Sequence, residues 1–237
     1  MADKRQIKSK QRVTDHGEVF TSQREVNAML DLVKQETERI ESRFLEPACG
    51  DGNFLAEILR RKLAVVKAQY RQFPPDYEKY SILALSSLYG VELLPDNVEA
   101  CRKRLFKIWN KAYTAICKRD AEDRCREAAR YILAHNILCG NALTMTTSAG
   151  TPIIFAQWDL VYGNQFKRRD FCLDGLLRGS RPNGPPEDAG VQLSLDASPS
   201  DGPEARWEYD KASKSWWPKP IKDDYPLTDY REVQNHG

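Results

Sequence analysis

The chain has 237 residues, enough for one α/β domain with a substantial core. Its formal net charge of +2 excludes nucleic-acid binding driven by bulk charge, so local patches have to meet any anionic partner. No apolar run approaches the ~20 residues of a membrane helix, and the basic amino terminus lacks the apolar stretch of a secretory signal.

Apolar periodicity predicts strands that alternate with helices. After a basic, flexible tail at residues 1–16, the pattern at Gln23–Ile40 predicts an amphipathic helix with Ser22 or Thr21 as its N-cap and Glu25 completing a capping box. The predicted strands end at Leu45, cover Leu88–Val91 and residues 136–139, and include a fourth in WDLVYGN at 158–164. Alternation of this kind indicates an α/β fold with a mostly parallel sheet and helices on both faces.

The composition changes near residue 178, which divides the chain. Residues 17–177 form the predicted α/β domain, and residues 178–205 are a Gly/Pro-rich loop or a disordered segment. Residues 206–237 regain aromatic side chains, and we expect RWEYD and SWW to pair as a hairpin around KASK. The WWPK stretch at 216–219 can stack on bases, and the alternative is a cover for an exposed sheet edge.

The cysteines and histidines indicate no metal site. The six cysteines include no CxxC pair, and the three histidines do not pair at ligand spacing. This pattern is typical of reduced thiols in a cytoplasmic protein.

Small or acidic residues follow each of the first three predicted strands. Glu46–Gly52 places an acid before a glycine turn, which is either structural or lets a ligand approach the backbone closely. Glu92 can accept hydrogen bonds from ribose hydroxyls, and the alternative is a helix-capping acid. Asn141 can read an adenine edge, or it forms an Asx turn. Because ligands of parallel sheets bind beyond the carboxyl ends of the strands, these residues predict one nucleotide-like ligand.

Taken in order, these stretches resemble a known enzyme family. FLEPACGDGNFL, YGVEL and GNAL look like motifs I, II and III of S-adenosylmethionine-dependent amino-methyltransferases of DNA. GEVFTSQREVNAML resembles motif X of the gamma-class adenine-N6 enzymes, which include the modification subunits of type I restriction systems. The match spans about residues 17–166. It implies a Rossmann-like class I fold, S-adenosylmethionine as cofactor, DNA as partner and a cytoplasmic protein of bacterial or phage origin.

The resemblance also implies a cofactor site. By position, Phe20 and Thr21 would pack over the methionine end of the cofactor. Glu46, Ala48 and Gly50 would line the methionine side. Glu92 would hold the ribose, and Asn141 and Ala142 would meet the adenine. The chain departs from the family at Ser22, where proline is usual, and at Asn141, where aspartate is more frequent.

The residues after the fourth predicted strand correspond to the family's (D/N)PP(Y/F) motif. They read NQFK at 164–167 and lack the prolines that hold this loop in one shape. The resemblance implies that Asn164 would accept from the target amino group. Lys167 occupies the position of the stacking aromatic, so Phe166 would stack on a flipped base with a loop one residue shorter. The candidate phosphate contacts, with a solvated charge run as the alternative, are Lys167, Arg168 and Arg169.

The primary hypothesis is a DNA adenine-N6 methyltransferase that transfers the methyl group directly, without a metal or a covalent enzyme intermediate. Because few residues follow the motifs, we expect that a domain for target recognition is either absent or supplied by a partner. Two alternatives stay open. One is a catalytically weak or inactive cofactor-binding subunit of a restriction-modification or phage-defence assembly. The other is an enzyme that methylates RNA or a protein glutamine.

Overall fold

The computed structural model describes residues 8–16, 18–178, 207–211 and 214–236. Its helices are α1 (Lys10–His16), α2 (Gln23–Asp31), α3 (Lys34–Thr37), α4 (Asn53–Tyr70), α5 (Pro74–Ser86), α6 (Pro95–Cys117), α7 (Asp123–Asn136) and α8 (Leu173–Arg178). Its strands are β1 (Phe44–Glu46), β2 (Leu88–Glu92), β3 (Ile137–Cys139), β4 (Ile154–Tyr162), β5 (Gln165–Cys172), β6 (Trp207–Asp210), β7 (Ser215–Pro218) and β8 (Thr228–Asp229).

Strands β1, β2 and β3 form a parallel sheet in that order, which confirms the mixed α/β class. Side chains alternate between its two faces. One face contributes Leu88 and Ile137 to a large core built with α4, α5, α6 and α7. The other face contributes Tyr89 and Val91 to a smaller core. Among the described residues, β4 and the start of α8 complete that smaller core, so helices do not cover both faces equally.

The segment before β1 contains two short helices instead of one long one. Helix α2 begins with the expected capping box, in which the Glu25 amide donates to Ser22 Oγ (3.4 Å) and the Ser22 amide to Glu25 Oε2 (3.1 Å). The helix ends at Asp31, and α3 follows after Leu32 and Val33. The single helix predicted over Gln23–Ile40 was therefore wrong in its length.

The fourth predicted strand does not extend the parallel sheet. Strand β4 pairs antiparallel with β5, and Gly163 (φ +55°) and Asn164 form the turn between them. The start of β4 lies beside the end of β3, because a Cβ at Gly140 would be 2.7 Å from Ile153 Cδ1. Further along β4, Asp159 Oδ1 contacts Arg43, which precedes β1, at 2.5 Å. Strand β4 therefore runs against the parallel strands, and its hairpin tip lies beyond their amino ends.

The remaining segments pack around this framework. The predicted hairpin near the carboxyl terminus is confirmed, since β6 and β7 pair from Trp207↔Pro218 to Asp210↔Ser215. Part of the predicted flexible tail is helix α1, and residues 1–7 lie outside the described residues. The predicted loop at 178–205 falls outside them as well, apart from Arg178. No helix in the described ranges is long and apolar enough to cross a bilayer.

Candidate functional site

A glycine turn at the carboxyl end of β1 is the centre of the candidate site. The Cys49 amide donates to Val91 O (2.9 Å), and the Gly52 amide donates to Cys49 O (2.8 Å). Gly50 (φ +53°) and Gly52 (φ +85°) both adopt left-handed backbone conformations, which glycine tolerates without strain. The turn therefore returns the chain tightly into α4, which begins at Asn53.

Glu92 joins this turn to the end of β2. Its Oε2 accepts from the Gly50 amide (2.9 Å), and its Oε1 accepts from the Leu94 amide (3.0 Å) and from Asn97 Nδ2 (3.4 Å). Only 9% of Glu92 is exposed. A carboxylate has about four acceptor positions, so Glu92 keeps some capacity for a further donor.

The motif upstream of α2 packs on the same turn. A Cβ at Gly50 would lie 3.1 Å from Phe20 Cε1, so the glycine allows close contact with this ring. Asn53 Nδ2 donates to Thr21 O (3.0 Å) at the start of α4. The structure thus brings Phe20, Thr21, Gly50 and Glu92 together at one edge of the sheet, although they span more than 70 residues of sequence.

Glu46, the last residue of β1, lies beside this turn. Burial raises the pKa of its carboxyl group, and a hydrogen bond with the Ala48 backbone partly opposes the rise. A desolvated carboxyl group gains more from a nearby cation than an exposed one does. Glu46 is therefore suited to a positively charged ligand group such as an ammonium.

The residues after β3 adopt the local turn that was the alternative to base recognition. Asn141 Oδ1 accepts from the Leu143 amide (2.9 Å) and the Thr144 amide (3.4 Å), which is an Asx turn. Ala142 packs against the smaller core. The end of β3 still lies at the site, because the Gly140 amide donates to Glu92 O (3.0 Å).

Sequence reasoning missed an ionic network beside Glu92. Glu18 Oε1 accepts from Asn97 Nδ2 (2.6 Å) and Glu18 Oε2 from Arg12 Nε (2.6 Å). Arg12 also pairs with Asp96 at 2.9 Å. Hydrogen bonding from Arg12 holds the pKa of Glu18 below its usual value. The available signals were the basic stretch in the first twelve residues and the polar Asp96-Asn97 pair after β2.

The structure does not bring the predicted catalytic residues to this edge. Asn164 lies in the β4–β5 turn, where its carbonyl accepts from the Tyr230 amide at 3.0 Å. Phe166 is 1% exposed and packs against Tyr230 with 6.1 Å between ring centroids. Strand pairing, rather than an open catalytic loop, holds both residues. The expected position of Asn164 and Phe166 beside the cofactor therefore disagrees with the structure.

The three candidate phosphate contacts have partners within the protein. Lys167 Nζ donates to Tyr225 O (2.6 Å), Arg168 Nε pairs with Asp170 (2.8 Å), and Arg169 pairs with Asp159 (2.9 Å). They alternate along β5, so they do not form one continuous basic patch. Their main visible role is to attach β5 to its neighbours.

The rest of the described chain offers no metal site, since its His, Cys, Asp and Glu side chains form no group of three that could hold an ion. The six cysteines are free thiols. No family model, no curated protein and no solved structure matches the chain.

Proposed function

We propose that this chain binds S-adenosylmethionine at the carboxyl ends of β1, β2 and β3, as the cofactor-binding subunit of a DNA-modifying assembly. The observation that carries the proposal is the hydrogen bond between Gly50 N and Glu92 Oε2, with Phe20 packed on the same glycine. Residues of three separate motifs resembling those of the gamma-class enzymes thereby meet at the edge where parallel sheets bind ligands. The resemblance supplies the identity of the ligand.

The side chains at this edge suit the parts of that cofactor. Glu92 would accept from ribose hydroxyls with its remaining acceptor capacity. The desolvated Glu46 would face the ammonium of the methionine moiety. Phe20 would cover the ligand from the side of the upstream segment. The bound cofactor supplies a methyl group on an already activated sulfonium.

Methyl transfer to adenine N6 is the second candidate function, and the order of motifs X, I, II and III favours it. Transfer requires an acceptor for the target amino group beside the sulfonium. Because Asn164 lies at the hairpin tip, transfer through it requires the β4–β5 hairpin to move. A partner could otherwise supply the acceptor. The same requirement applies to RNA or protein glutamine as the methyl acceptor. For this reason the binding subunit is the better supported proposal.

Calorimetric titration with S-adenosylmethionine tests the proposal. We expect saturable binding by the wild-type chain, and a dissociation constant at least about tenfold higher for Glu92→Gln, equivalent to about 1.4 kcal/mol. The single amide oxygen can still accept from either Gly50 or Leu94, and thermal melting of Glu92→Gln shows whether the fold is retained. Glu99→Gln is the matched control, because Glu99 is an exposed residue of α6 that pairs with Lys103 at 2.6 Å. Absence of binding by the wild type contradicts the proposal.

A second assay separates a binding subunit from an enzyme. The chain is incubated with methyl-tritiated cofactor and unmethylated DNA, and Asn164→Ala is treated in parallel. For a binding subunit we expect cofactor binding without transfer of label. Transfer that disappears in Asn164→Ala would instead establish the methyltransferase and a rearranged hairpin.

A further inference from the structure

A cavity lies away from the glycine turn. It has a volume of about 570 Å³ and is lined by β1 and β2 on one side and by the β4–β5 and β6–β7 hairpins on the others. Pockets for small molecules usually measure about 300–1,000 Å³, so a compact ligand fits this space. Arg43 lines the cavity and directly precedes β1. The cavity therefore reaches the amino ends of the parallel strands, and the candidate cofactor site lies at their carboxyl ends.

The walls of this cavity are largely aromatic. Phe155, Tyr89 and Phe171 are 0%, 5% and 6% exposed, and the Phe155 and Tyr89 rings meet edge to face at 5.4 Å. Trp217 lines the opposite wall and is 43% exposed. Trp217 therefore offers the main accessible aromatic surface on which a flat apolar ligand can be buried.

One side of the cavity carries more positive charge than its neighbours neutralise. Arg43 and Arg169 share the single carboxylate of Asp159, at 2.5 Å and 2.9 Å. Gln157 Nε2 also donates to Asp159 Oδ2 (2.9 Å), so this carboxylate accepts from three side chains. A guanidinium has five N–H donors. Within the described residues, Arg43 and Arg169 each donate one hydrogen bond, in both cases to Asp159. The half-exposed arginines can therefore bind a further anion in a bidentate manner.

The opposite wall has the complementary character. Glu208 and Asp210 are exposed on β6 and line the same cavity. The Glu208 carboxylate at this position favours a ligand that carries N–H donors and disfavours one with a second anionic group. The cavity thus distinguishes the two ends of a ligand.

We propose that this cavity binds a small, amino-substituted aromatic ring that carries one anionic group. The ring would lie against Trp217 and the small exposed parts of Tyr89 and Phe171, the anion would pair with Arg43 and Arg169, and the amino group would face β6. Aminopurine nucleoside monophosphates and amino-substituted aromatic carboxylic acids share this chemistry. The site is independent of the proposed cofactor binding, because no residue is common to both.

The proposal is tested by titrating the chain with adenosine 5′-monophosphate, 4-aminobenzoate, adenosine and inorganic phosphate, followed by calorimetry. We expect at least one of the first two probes to saturate, and adenosine and phosphate to bind at least about tenfold more weakly. Saturation by the monophosphate alone identifies the nucleotide source, and saturation by 4-aminobenzoate alone identifies the carboxylic acid. The proposal is overturned if neither probe binds, or if adenosine binds as tightly as its monophosphate.

Variants then locate the bound probe. Arg43→Ala should raise the dissociation constant at least about tenfold, whereas the nearby exposed Arg39→Ala should not. Trp217→Ala should also weaken binding, with Trp216→Ala as its matched control. Glu92→Gln should leave binding unchanged, which separates this site from the proposed cofactor site.

Unchanged affinity in folded Arg43→Ala and Trp217→Ala would overturn the assignment. Thermal melting shows whether each variant is folded. If a variant does not fold, the position of the bound probe is determined in the wild-type protein from intermolecular NOEs. We expect NOEs between the ring protons of the probe and the Trp217 indole, and their absence in a saturated sample rejects the site.

Discussion

Lys62 provides a quantitative test of how burial controls the stability of this fold. The side chain lies in α4 with 0% exposure. Its ammonium donates to Ile40 O (3.0 Å), to Ser87 Oγ (2.7 Å) and to Ser42 O. Burial is the main cause that lowers the pKa of Lys62 from its ordinary value of 10.5 to about 7. The folded protein therefore releases this proton at a lower pH than the unfolded chain does.

The sign and size of the effect follow from proton linkage. Below about pH 7 both states hold the proton, and the full cost of the buried charge is present. Between about pH 7 and 10.5 the unfolded chain binds more protons, so the free energy of unfolding rises with pH. One pKa unit corresponds to about 1.36 kcal/mol, which gives a ceiling of roughly 5 kcal/mol over this window. The three oxygen acceptors stabilise the charged form, so we expect a rise of about 2–4 kcal/mol.

The assay is urea unfolding followed by tryptophan fluorescence at several pH values across this window. Lys62→Met keeps the length of the side chain and removes the titrating group, so the Lys62 contribution to the slope should disappear. Lys67→Met, at an exposed position of the same helix, should keep the wild-type slope.

Other buried groups also titrate in this pH range. Their contribution to the pH dependence of stability cancels when the variants are compared with the wild type. Burial raises the pKa of the Cys117 and Cys125 thiols, so their contribution to stability falls as pH rises above the pKa of an unfolded thiol. This contribution is the same in the wild type and in both lysine variants. Parallel stability curves for wild type and Lys62→Met would refute the reasoning, because they would show that Lys62 titrates equally in both states.

Two further predictions concern the glycine turn and a buried acid. In Gly52→Ala the new Cβ would meet Cys101 Sγ at 2.6 Å, and we expect this variant to lose about 1–3 kcal/mol more stability in chemical denaturation than Gly150→Ala. Gly150 also has positive φ but has open space around it, so equal losses would exclude the contact with Cys101 as the cause. Glu78→Ala should cost about 2–4 kcal/mol, because it removes a buried carboxylate 2.5 Å from the partly buried Arg231 guanidinium, which keeps only Asp229 at 3.6 Å. A loss below about 1 kcal/mol, measured in the same way, would show that Asp229 and water compensate for the lost carboxylate.

Local patterns made the parallel sheet predictable. The strands that end at Glu46 and Glu92 are short apolar runs followed by turn residues, and such signals depend on few neighbours. The capping box at Ser22 is local for the same reason. The contact of Phe20 with Gly50 could be expected only through the family resemblance, because no local rule relates them.

The hairpin after β4 was misread although its signal was present. Gly163-Asn164 stands between two runs suited to strands, and this dipeptide is a hairpin signal. The resemblance to a catalytic loop outweighed that signal in the prediction. The buried partners of Glu78 were unpredictable for another reason, since its carboxylate meets Tyr230 and Arg231 only through tertiary packing.

The cluster around Glu78 also has a consequence for protein synthesis. Glu78 Oε1 accepts from Tyr230 Oη (2.8 Å), a residue 152 positions later in the chain. Until the ribosome has released that segment, a carboxylate in the middle of α5 has only Tyr113 as a nearby hydroxyl partner among the described residues. The packing around Glu78 is therefore completed only after residue 230 has left the ribosome. A nascent chain should stay incompletely packed at this cluster until the segment that carries Tyr230 has docked.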